Sequence, residues 1–67
     1  MIAMTAEYLA LVVATIYRRR VREELELARH ARALGFCDTA ALHLDLALLW
    51  RRLAADWTRF ASTRTRP

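Results

Sequence analysis

The chain has 67 residues, 57% of them hydrophobic, with one glycine, one proline, one cysteine and a formal net charge of +4. That length allows one small domain with a marginal core, and a single cysteine excludes an internal disulfide to staple it. Extra stability is therefore expected from oligomerisation or from docking on a larger protein.

Leu and Ala dominate and breakers are almost absent, which predicts helix throughout. The first helix is expected over about residues 5–34. Its opening stretch to Tyr17 carries one charge, Glu7, and the run from Tyr8 to Tyr17 is apolar on every side. Arg18-Arg19-Arg20 follows at once. A short membrane anchor is one reading of this pattern. But seventeen residues of helix reach only about 25 Å, short of a hydrocarbon core of about 30 Å. A secretory signal would want its positive charge before the apolar run. The other reading is a helix end buried on all sides within an oligomer.

From Arg18 onward the first helix becomes amphipathic. Val21, Leu25, Leu27, Ala28, Ala31 and Leu34 share a broad arc that continues from Leu9, Val13, Ile16 and Tyr17. Arg18, Arg22, Glu26, Arg29 and Arg32 form the opposite stripe, with Arg22–Glu26 and Glu26–Arg29 at pairing distance. Arg20 and Glu24 fall within the apolar arc, four residues apart. They are expected to pair with each other or across a subunit boundary, where such a pair sets register more than stability.

The helix is expected to stop at Gly35, which takes a left-handed conformation without a Cβ penalty. Asp38 or Thr39 is the expected cap of the next helix. A turn over about residues 35–38 folds the second helix, about residues 39–61, back along the first. Residues 62–67 read as a frayed basic tail.

In the second helix Leu42, Leu46, Leu49, Leu53, Trp57 and Phe60 recur at intervals of three and four, a knobs-into-holes seam with Trp50 beside it. Folding about Phe36 sets Tyr17 near Trp57 and Val13 near Phe60. These eight residues, Val13 and Tyr17 included, are the expected oligomer interface. Arg52, Asp56 and Arg59 make a charged ladder with Asp45. Leu44, Leu48 and Ala55 have no role inside a lone hairpin, so Leu44 and Leu48 mark a second candidate interface.

No catalytic pattern is present: there is no phosphate-cradling glycine loop and no nucleophile motif. No cofactor or metal is expected. The nearest approach to a metal site is His30 facing His43 with Cys37 or Asp38 by the turn, a spacing that fits no zinc signature. All eleven basic residues are arginine. Arg18, Arg19, Arg22, Arg29 and Arg32 are the candidate face for a protein partner or for nucleic acid, although neighbouring glutamates offset the charge and no aromatic residue stands by to stack a base.

The segment Leu42-His43-Leu44-Asp45-Leu46-Ala47-Leu48-Leu49-Trp50-Arg51, with Arg59-Phe60 after it and Met4-Thr5-Ala6-Glu7 before, resembles the Rop family of plasmid-encoded RNA-binding proteins. That resemblance implies a helical hairpin that dimerises into a four-helix bundle. At the positions of the family's RNA face this chain has Ala6, Val13, Tyr17, Val21 and Ala28, of which only Tyr17 keeps an aromatic character. The resemblance thus implies the bundle and not the RNA-binding role.

The sequence as a whole predicts an all-α antiparallel hairpin that pairs into a four-helix bundle. The expected function is a small non-enzymatic, cytoplasmic interaction module acting as a homodimer or on a larger protein. A nucleic-acid-binding regulator and a short membrane-anchored protein are the alternatives.

Overall fold

The computed structural model describes residues 5–65. It contains two helices, α1 over Ala6–Ala33 and α2 over Cys37–Thr65, joined by a three-residue turn and packed antiparallel. The all-α hairpin expected from composition and breaker placement is therefore the fold.

Local chemistry sets each boundary. Thr5 caps α1: its backbone is extended (φ −87°, ψ 161°) and its Oγ1 accepts the Tyr8 N–H at 3.0 Å. Glu7 in the first turn and His30 and Arg32 in the last complement the helix dipole. At the other end Gly35 has φ 85°. The Phe36 N–H donates to the Ala31 carbonyl (2.9 Å) and the Gly35 N–H to the Arg32 carbonyl (3.0 Å). These two bonds make a Schellman turn, which satisfies carbonyls that a helix end leaves open.

α2 begins earlier than expected. The Ala40 N–H donates to the Phe36 carbonyl at 3.0 Å, so Phe36 occupies the cap and not Asp38 or Thr39. The Schellman turn already aims the chain back, leaving no room for a longer loop. Asp38 lies in the first turn of α2, where its carboxylate faces the positive end of the dipole. The helix also runs past Ala61 to Thr65, where a tail was expected. Ala61 is buried, the Thr63 hydroxyl bonds the Arg59 carbonyl at 2.8 Å, and no glycine or proline intervenes. Of the expected tail, residues 66 and 67 lie outside the described residues, as do residues 1–4 of the apolar opening stretch.

What the helices turn toward each other is small. The buried apolar residues are Ala10, Ala14, Ala28 and Ala31 on α1, and Ala40, Ala47, Ala54 and Ala61 on α2. Half-buried Tyr17, Val21 and Glu24 continue the α1 row, giving successive steps of four and three from Ala10 to Ala31. On α2 the four alanines are spaced by seven, with His43 and Trp50 between them. A row of methyl groups at heptad spacing lets two helices approach closely along their length.

The result is a single layer. Its Cα extents are 51 × 24 × 10 Å and its radius of gyration is 15.5 Å. A compact chain of this length would have a radius near 11 Å. Among the described residues no third element covers either broad face of the layer.

Candidate interaction surfaces

Three layers interrupt the alanine seam. Nearest the open end, Tyr17 stacks on Trp50 with ring centroids 5.4 Å apart and planes 15° apart. The Trp50 indole N–H is buried there and bonds to no protein group. Val21 follows in the next layer. Then Glu24 Oε2 meets His43 Nδ1 at 2.6 Å, with side chains 14% and 22% exposed. A carboxylate only accepts, so the imidazole N–H is the donor.

These layers fix the register and correct three expectations. Tyr17 lies against Trp50, not Trp57: the Tyr17–Trp50 and Glu24–His43 contacts both centre the reversal between Ala33 and Leu34 rather than at Phe36, which moves each partner on α2 toward the turn. Trp57 and Phe60 do pack edge-on, at 5.9 Å, but on the same helix. Arg20 pairs with Glu23 at 3.4 Å on the surface rather than with Glu24, whose partner is His43. His43 thus faces Glu24 and not His30. Among the described residues no three His, Cys, Asp or Glu side chains are grouped to hold a metal ion.

The expected interface residues divide in two. Tyr17 is engaged within the hairpin, and Val13, Leu46 and Leu53 are half-buried at its edge. Leu42 (57% exposed), Leu49 (48%), Trp57 and Phe60 face outward. At about 100° per residue Leu42, Leu49 and Phe60 lie roughly a third of a turn from the alanine row, and Trp57 closer to it. The same flank of α1 carries Leu9, Ile16, Leu27 and Leu34, all exposed. Together they form one broad apolar face, crossed by the Arg20–Glu23 pair.

The opposite flank has a different character. Leu44 and Leu48 lie here with Val21, Leu25 and Arg51. Arg18 and Arg22 border them toward the open end, and Arg29 and Arg32 toward the turn. Arg19 stands about half a turn from the seam and joins neither flank. So four of the five expected arginines share a face, and they share it with the second candidate interface. Arg51 is the member that sequence reasoning missed. Its spacing of seven from Leu44 was the available signal.

Tyr17 and Val21 are half-buried in the seam and Ala28 is buried. No helix among the described residues is long and apolar enough to cross a membrane. No protein-family model, curated protein or solved structure matches the chain.

Proposed function

We propose that the chain is a non-enzymatic protein-interaction module, residing in the cytoplasm and acting as a homodimer. Two hairpins pair through the leucine face, with Leu42, Leu46, Leu49, Leu53, Trp57 and Phe60 of α2 at its centre and Val13 and Tyr17 at the edge where α1 joins it. The observation that carries this is the distribution of side-chain size: among the described residues every buried apolar residue is alanine, whereas the leucines and aromatics of one flank face outward. An exposed apolar patch of that extent marks an interaction site. Face-to-face pairing of two single layers yields a four-helix bundle, the arrangement that the Rop resemblance also implies. The Arg20–Glu23 pair, crossing the face off-centre, would set the register of the two copies.

Light scattering on the purified chain tests this. The expected mass is twice the 7.8 kDa of one chain. Leu42→Glu with Leu49→Glu should halve it, since the charges would be buried without partners. A wild-type monomer at tens of micromolar would overturn the proposal.

A nucleic-acid-binding regulator is the second reading, supported by Arg18, Arg22, Arg29 and Arg32 sharing a flank. Its signature is affinity that falls steeply with salt.

A further inference from the structure

On the arginine flank the space between the helices is a groove. Val21 and Leu25 of α1 floor it with Leu44, Ala47 and Leu48 of α2. It continues over Ala54 and Ala55 toward the open end, and over Ala28 and Ala40 toward the turn. Arg18, Arg22, Arg29, Arg32 and Arg51 border it, and no acidic residue lines any part.

None of these five guanidinium groups is matched by a carboxylate among the described residues. Glu23 goes to Arg20, Glu24 to His43 and Asp56 to Arg59. Glu26 lies beside Glu23, Leu27 and His30 on the other side of α1. Arg18 donates one bond to the Thr58 hydroxyl at 3.3 Å, across the two helices.

We propose that this groove takes one helix of a partner protein, leucine-rich on the face it presents and lined with Asp and Glu on either side. The apolar floor and the charged border ask for different things at once. A helix laid between two others fills such a floor with side chains at intervals of three and four. Its flanking carboxylates then meet guanidinium forks, which bind them in pairs of hydrogen bonds. Arg18 and Arg32 are fourteen residues apart, about 21 Å or four helical turns, which sets the length of the docked segment. A second copy of this chain does not fit, because the face would set five arginines against five. Nucleic acid would engage the border but leave Leu25, Leu44 and Leu48 covering nothing, and no aromatic residue lines the groove to stack a base. The groove lies on the flank away from the proposed dimer face, so one chain can use both.

The test is fluorescence anisotropy of the full chain with a synthetic amphipathic peptide of about 18 residues, leucine on one face and glutamate elsewhere. Binding is expected, and Leu48→Asp or Arg29→Glu with Arg51→Glu should each weaken it at least about tenfold. A polyglutamate of equal length should bind at least about tenfold more weakly, since it offers nothing to the floor. Helix content by circular dichroism and mass by light scattering should match wild type in both variants. All three sites are exposed, and unchanged mass separates a failure here from a failure of the dimer. No peptide binding, or equal binding of polyglutamate, would overturn the proposal. So would a short RNA duplex that binds more tightly than the peptide and ignores Leu48→Asp; that outcome would hand the face to nucleic acid.

Discussion

The side of each helix that meets its neighbour and the sides that meet solvent are built from opposite kinds of residue. Between α1 and α2 stand eight buried alanines. Outside stand most of the leucines, with Ile16, Trp57 and Phe60 among them. A domain that stabilised itself would invert this, hiding its largest apolar side chains, because each contributes roughly 1.5–3 kcal/mol on full burial. An alanine seam buries little area per residue. Its advantage is geometric: it brings the two backbones together and holds both broad faces nearly flat. The hairpin leaves its largest apolar side chains on the outside, the feature on which the proposed pairing of two copies rests.

The sharpest way to break that contrast is to put the same substitution on both sides. Ala47→Leu inserts three carbons into the buried alanine seam and should destabilise by about 3 kcal/mol, read as a lower denaturation midpoint at fixed protein concentration. Ala55→Leu, about two turns on and exposed, should stay within about 0.5 kcal/mol of wild type. Equal effects would mean that the seam is not close-packed. Next in size is the Glu24–His43 layer, a polar contact between α1 and α2 inside the alanine row. Glu24→Leu leaves the His43 donor half-buried without its acceptor and should cost about 2 kcal/mol. Adding His43→Leu removes the orphan and should recover at least half of that loss, which a double-mutant cycle measures. A cycle with no coupling would show that the 2.6 Å contact contributes nothing net.

The contrast also explains how far the sequence could be read. Composition and Gly35 were enough for two helices and one reversal. The seam was not found, because a search for the core follows the largest side chains, and here they mark the outside. Ala40, Ala47, Ala54 and Ala61 repeat every seven residues, and that regularity was the legible clue. Register depended on the turn. A Schellman turn consumes only Leu34, Gly35 and Phe36, so the second helix starts sooner than a side-chain cap at Asp38 would allow. The small difference moved the partner of Tyr17 from Trp57 to Trp50. It also took Glu24 from Arg20, four residues along its own helix, to His43 across the seam. The candidate surfaces were legible as residue sets but not as faces. Leu44, Leu48 and the arginines came from different helices, and only the antiparallel register places them on one flank.

The smallest expected effect lies at the turn itself. Gly35 sits at φ 85° with nothing within 4 Å of where a Cβ would be. Any penalty for adding one is therefore conformational and not steric. Gly35→Ala should cost about 1 kcal/mol, because alanine resists the left-handed region. Gly35→Asn should cost less than half as much, since asparagine visits that region readily. Neither should change the mass in solution, the turn being about six helical turns from Trp57 along α2. If Gly35→Ala instead lowered the mass, the turn would be setting the faces and not merely joining them. The division between an inner seam that fixes geometry and outer faces that make contacts would then fail at the point where the two helices meet.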